Sequence, residues 1–141
     1  MLWLLIVLSI IALDQTVKYT INKKVSRGKS IPIINNFLYI THTENTGIAL
    51  SLFENKGYIF IPLTTIIQIV ILYCLYKSDN CVLSLLLSFI IGGGFGNLID
   101  RLAKGSVTDF FQFQVGSHSS PIFNLADIFI LLGAIMFMIK M

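Results

Sequence analysis

Residues 92–127 read GGGFGNLIDRLAKGSVTDFFQFQVGSHSSPIFNLAD. An apolar run ends in four closely spaced glycines, and a polar cluster follows at Asn97, Asp100 and Arg101. Asp109 sits in a short segment beyond, and the next apolar run opens with Asn124 and Asp127. Two carboxylates thus lie where hydrocarbon-compatible sequence meets water, on either side of one short loop. Ionisable groups at membrane depth are costly and are usually kept for chemistry or transport. Asp109 and Asp127 are therefore the expected working pair, and the rest of the chain the frame that holds them.

The composition agrees with a membrane setting. The chain has 141 residues, of which 55% are hydrophobic and 12% charged, about half the charged share of an ordinary soluble domain. The length suits one compact unit, a single integral-membrane domain over 1–141. With a net charge of +3 and no basic stripe carrying interleaved aromatics, no nucleic-acid partner is expected. Cys74 and Cys81 flank the sequence KSDN at a spacing that matches no zinc or redox motif, and read as small apolar filler.

Four stretches are long enough to span about 30 Å of hydrocarbon at about 1.5 Å per residue: residues 2–21, 58–76, 81–99 and 122–139. The first lacks a basic leader and a small-x-small cleavage site, so it is expected as a retained helix. Asp14 and Lys18 lie four residues apart within it and share a face that should point into the bundle. An intramembrane ion pair and substrate binding are both compatible with that position. Gly92, Gly93, Gly94 and Gly96 permit close backbone approach at the end of the third span. Four spans suffice to close a bundle, so a monomer is expected.

Residues 22–57 are the largest non-spanning segment. Alternation over Phe37–Thr43 suggests short strands, and the segment is expected as a partly β platform on the membrane surface. Asn45-Thr46-Gly47 reads as a turn. Lys23, Lys24, Arg27 and Lys29 suit contact with anionic headgroups or a solvated face equally. Charge counting creates a conflict. The side bearing 22–57 and 100–121 carries seven Lys and Arg residues against two on the side of the termini, which places those loops in the cytosol by the positive-inside rule.

The residue types narrow the chemistry. No G-x-S-x-G or H-E-x-x-H occurs, and the two histidines, His42 and His118, lie in no triad context. A metal held by Asp100, Asp109 and Asp127 is a minor alternative. An aspartic mechanism fits better: two carboxylates in a confined site share one proton, so one activates water while the other polarises a carbonyl. Asn124 and Asp127 fall on one face at the start of the fourth helix, with about 9 Å of helix from Pro121 to Asp127. Spacing alone fits a proton relay equally well.

The residues also resemble a known family, the lipoprotein signal peptidases or type II signal peptidases of bacteria. Asp14-Gln15-x-x-Lys18 is similar to the family's D-Q-x-x-K block, and Asn45-Thr46-Gly47-Ile48-Ala49-Leu50-Ser51 to N-T-G-A-A-F-S. Gly96-Asn97-Leu98-Ile99-Asp100-Arg101 resembles G-N-x-x-D-R, Val107-Thr108-Asp109-Phe110 resembles V-V-D-F, and Phe123-Asn124-Leu125-Ala126-Asp127 resembles F-N-x-A-D. Each block is weak alone; five in order are specific. The resemblance implies a mainly α membrane protein of four transmembrane helices with an extracytoplasmic, partly β platform. It implies a metal-free, cofactor-free aspartic endopeptidase with Asp109 and Asp127 as catalytic pair. The implied cut removes the signal peptide of a prolipoprotein just before a cysteine that carries diacylglycerol.

By the same likeness Asp14, Lys18, Asn45, Gly47, Asn97, Arg101 and Asn124 line or brace the site. Asp100 is expected as a structural partner that orients Arg101. The implied location is the bacterial cytoplasmic membrane, with both termini in the cytoplasm and the pair on the outer face. That orientation is preferred over the charge count, with the basic platform facing lipid headgroups. Ile48, Leu50, Thr108 and Ile128 depart from the family pattern without touching the pair. Two other functions fit the residues less well. An ion- or proton-coupled carrier would use Asp14, Lys18 and the Asp pair as a relay, and an inactive lipoprotein-binding relative would be expected to lack one Asp.

Overall fold

The computed structural model describes residues 1–47 and 57–140. Residues 48–51 of the N-T-G block lie outside that range, as does Lys56. The described chain runs α1 (Leu2–Lys24), β1 (Ser30–Ile34), β2 (Leu38–Asn45), α2 (Gly57–Lys77), α3 (Cys81–Lys104), β3 (Val107–Val115), β4 (His118–Ser119) and α4 (Leu125–Lys140).

Polar and apolar residues are distributed inside out relative to a soluble protein. Asp14, Lys18, Gln68, Ser84, Ser88 and Asn97 are buried, whereas Leu4, Leu8, Ile66, Ile69, Val70 and Leu131 are exposed. This is the arrangement that lipid as solvent favours, since hydrocarbon penalises polar groups and accepts leucine. By length and composition α1, α3 and residues Phe60–Lys77 of α2 can each cross a membrane. The 16-residue α4 is shorter, about 24 Å long against about 30 Å of hydrocarbon.

The expected fourth span began at Ile122, but the helix begins at Leu125. Backbone hydrogen bonding explains the difference. Phe123 accepts the N–H groups of Phe110 and Phe111 at 3.0 and 2.8 Å and donates to Phe111 at 3.0 Å, so it is held extended against β3. The 9 Å of helix expected between Pro121 and Asp127 is therefore absent, and Asp127 lies in the first turn of α4. At the other boundary α3 outruns the expected end at Ile99, continuing through the polar cluster to Lys104. It stops at Gly105, whose φ of 74° is the left-handed conformation that glycine adopts without a Cβ clash.

α3 is the central helix and packs against the other three. Its glycines set the distances. A Cβ on Gly92 would lie 2.8 Å from Ile10 of α1, one on Gly96 2.5 Å from the Asp14 carboxylate, and one on Gly93 would overlap the Ala126 carbonyl of α4. Small residues thus bring α1 and α4 against the polar end of α3.

The four strands form one antiparallel sheet in the order β1-β2-β3-β4. The platform expected from 22–57 supplies β1 and β2; the short segment expected to carry Asp109, with the loop after it, supplies β3 and β4. Pairing of Thr43 with Asp109 and Asn45 with Val107 fixes the register. Because side chains alternate across a strand, Asn45 and Asp109 share one face, while Glu44 and Thr108 share the other.

Candidate active site

Asn124 and Asp127 build the start of α4. The Asn124 side-chain oxygen accepts the Asp127 N–H at 2.9 Å, and the Asp127 Oδ2 accepts the Asn124 N–H at 3.1 Å. This reciprocal pairing is a capping box, with Asn and Asp in place of the usual Ser/Thr and Glu/Gln. The intervening Ala126 N–H is taken by Asp14 Oδ1 at 3.0 Å. The helix terminus that carries Asp127 is thus tied to α1.

Each amide orientation around the two carboxylates is dictated by its partners. The Asn124 oxygen faces an N–H, so its amide NH2 points at Asp109 Oδ1 (2.6 Å) and Asn97 Oδ1 (3.1 Å). The Asn97 oxygen also accepts from the Lys18 ammonium at 2.9 Å, so its NH2 points at Asp127 Oδ1, 2.8 Å away. Asn45 completes the set, donating to Asp109 Oδ2 at 2.9 Å while its oxygen accepts the Gly47 N–H at 2.9 Å. That last bond is an Asx turn. Asp109 and Asp127 are therefore joined through Asn124, and every carboxylate oxygen accepts one N–H.

Beneath them lies a buried charge cluster. Lys18 is 2% exposed and its ammonium is 2.8 Å from Asp14 and 3.6 Å from Asp100. Gln15 bridges α1 to α3, donating to the Gly96 carbonyl at 3.0 Å and to Asp100 at 3.1 Å. Asp100 Oδ2 accepts the Thr108 N–H at 2.9 Å, which pins β3 to α3 one residue before Asp109. On the opposite face of the sheet Glu44 accepts from Lys104 at 3.0 Å and from Ser106 at 2.5 Å. Burial alone would raise the Glu44 carboxyl, but those bonds and the Lys104 charge hold it below the usual range.

A cavity of about 570 Å³ opens beside the two carboxylates. Asn45, Asn97, Arg101, Asp109, Asn124 and Asp127 line its polar end; Ile67, Ile90, Ile130 and Leu131, with Thr64 and Gln68 among them, line much of the remainder. Asp109 is 3% exposed. Burial is the main cause that pushes its carboxyl from 3.8 up to about 6; the Asp127 charge adds to the rise, and the bonds from Asn45 and Asn124 oppose it.

The expected residues divide into two groups. Asn45, Asn97, Arg101, Asn124 and the two aspartates meet at the cavity, whereas Asp14, Lys18 and Asp100 lie behind them and Gly47 holds Asn45 through its N–H, with no place in the cavity wall. Asp100 is expected from the sequence to orient Arg101; its charge reaches Arg101, but its hydrogen bonds and ion pairs go to other residues. Asp100 is engaged by Gln15, Lys18, Lys104 and Thr108, because its helical position turns it toward α1 and β3. Among the described residues no ion pair of 4.0 Å or less joins it to Arg101, and no group of three His, Cys, Asp or Glu residues could hold a metal ion. Glu44 and Gln68 escaped the sequence reading: a lone Glu in a strand and a lone Gln in an apolar run carry no spacing signal. Gln15 was visible only as part of a block.

Residues 6–141 match the family described as Signal peptidase (SPase) II. Two solved structures described as bacterial membrane enzymes, obtained by the in meso method at 2.3 and 1.9 Å resolution, are similar to this chain. Both are 33% identical to it, with TM-scores of 0.90 and 0.88. The similarity covers 98% of this chain and 85% and 90% of theirs.

Proposed function

The chain belongs to the signal peptidase II family, and we propose that it is an aspartic endopeptidase that removes the signal peptide from diacylglyceryl-modified prolipoproteins, cutting before the lipidated cysteine. The observation that carries the reading is the pairing of Asp109 and Asp127 through Asn124 at the polar end of a largely apolar cavity. Such a cavity suits a substrate whose scissile bond lies between a membrane-embedded signal sequence and an acylated residue.

In this mechanism Asp109, the carboxyl pushed up by burial, holds the shared proton. Asp127 lies at the start of α4, where the helix dipole suits a negative charge, and takes a proton from water. The water oxygen bonds to the scissile carbonyl carbon while Asp109 hydrogen-bonds the carbonyl oxygen. Collapse of the tetrahedral intermediate breaks the C–N bond, and the leaving amine of the lipidated cysteine receives the proton that Asp127 took from water. Asn97 and Asn124 hold the carboxylates in register, and Lys18 fixes Asn97 from behind. Arg101 lies within electrostatic reach of Asp127 and Asp109 and suits contact with substrate oxygens.

We further read the chain as one domain whose four helices all cross the cytoplasmic membrane of a bacterium. The sheet then lies at the outer face and both termini in the cytoplasm, with the chain acting as a monomer. The test is incubation of purified protein in detergent with a prolipoprotein in its diacylglyceryl-modified and unmodified forms, products being read by mass spectrometry. The reading expects one cut, immediately before the modified cysteine, and none in the unmodified form. Intact substrate in both arms overturns it.

A further inference from the structure

Gln68 of α2 is 5% exposed and lines the cavity beside Thr64 and Ile67. Among the described residues its Oε1 has no hydrogen-bond partner, whereas Asn97, Asn124 and Asp109 on the same wall are all bonded. The carboxamide fits because Gly94 faces it: a Cβ on Gly94 would overlap Gln68 Nε2. A buried amide oxygen left without a protein partner is costly. Chains keep such groups where a ligand completes them.

The position identifies the ligand. Gly94 precedes Asn97 by one helical turn, about 4.5 Å along α3, so Gln68 lies on the side of the catalytic pair toward the α2–α3 connection. On α4 the cavity continues the same way through Ile130, Leu131 and Ala134. A signal sequence entering this channel must be unwound at the cut, which strips its nearby N–H and C=O groups of helical partners. A carboxamide complements a peptide group, accepting N–H and donating to C=O. The ester groups of a diacylglyceryl moiety offer acceptors only and cannot satisfy an orphaned oxygen.

We propose that Gln68 is a substrate-binding residue that pairs with a backbone amide of the signal sequence upstream of the scissile bond. The partner lies within about four residues of the cut, since extended chain advances about 3.3 Å per residue. This assignment rests on the peptidase reading above.

The test compares wild-type protein, Gln68→Met and Gln68→Leu on a synthetic diacylglyceryl-modified substrate. A parallel substrate series replaces single upstream backbone N–H groups by ester oxygen. Loss of one hydrogen bond raises KM about five- to tenfold in both variants, with kcat within about twofold, while Tm holds or rises because an orphaned polar group has gone. In the wild type one ester replacement reproduces that loss, and in Gln68→Met the same replacement has no further effect. Unchanged KM in the variants overturns the assignment, as do equal ester penalties in wild type and variant, or a fall in Tm with parallel loss of kcat. Absence of cleavage by the wild type overturns the peptidase reading and this assignment with it; the other outcomes strike the assignment alone.

Discussion

Asp14 of α1 accepts the backbone N–H of Ala126, one residue before Asp127, at 3.0 Å. Its other oxygen meets Lys18 at 2.8 Å. One carboxylate therefore ties the first turn of α4 to an ion pair on α1, and the pair's energetics bear directly on where Asp127 sits.

Lys18→Met leaves the Asp14 carboxylate buried without its cation, while Asp100 keeps Lys104 at 3.7 Å. Breaking such a pair from one side costs about 3–5 kcal/mol. Asp14→Asn combined with Lys18→Met removes the uncompensated charge and keeps an acceptor for Ala126, so it recovers part of that loss. Denaturant unfolding in detergent micelles checks both; a Lys18→Met protein as stable as wild type would contradict the bracing role.

Gly93→Ala tests the contact between α3 and α4. The added methyl meets the Ala126 carbonyl, backbone that moves only with the helix start. Overpacking of this kind costs about 1–3 kcal/mol. Cleavage falls along with Tm, because the displaced turn carries Asp127.

The pH dependence of cleavage carries a definite sign. The Asp109 carboxyl is raised to about 6, so the protonated form needed to polarise the carbonyl is lost as pH rises through that value. The alkaline limb of kcat/KM therefore lies near pH 6, as a property of the coupled pair. Asn45→Ala removes a hydrogen bond that favours the ionised form and shifts the limb upward. The same raised carboxyl favours the folded state most below its ordinary value of 3.8, and that contribution fades as pH rises through about 6. A limb that stays put in Asn45→Ala would count against Asp109 as the proton holder.

Much of this arrangement was legible because burial of charge in hydrocarbon leaves a strong mark. Asp14 and Lys18 at helical spacing pointed inward, and Asn124 and Asp127 shared a face. The glycines before Asn97 marked close packing. Helix boundaries were less legible: apolar counting ended α3 at Ile99 because it cannot see that polar Asp100 and Arg101 continue a helix to a left-handed glycine. It started the fourth span at Ile122 because it cannot see that Phe123 pairs with β3. The pairing of β2 with β3 joins segments separated by two helices, and no local pattern reports it. The partners of Asp100 were missed for the same reason, since Gln15 and Thr108 reach it from different elements.

The central claim is that Asp109 and Asp127 together cut the peptide. The direct measurement is cleavage of diacylglyceryl-modified prolipoprotein by wild type, Asp109→Asn and Asp127→Asn, each verified as folded by its unfolding transition, with and without a chelator. The account predicts cleavage by the wild type that a chelator leaves unchanged, and background hydrolysis alone in both variants. Retained cleavage in either folded variant, or a wild type silenced by the chelator, would contradict it.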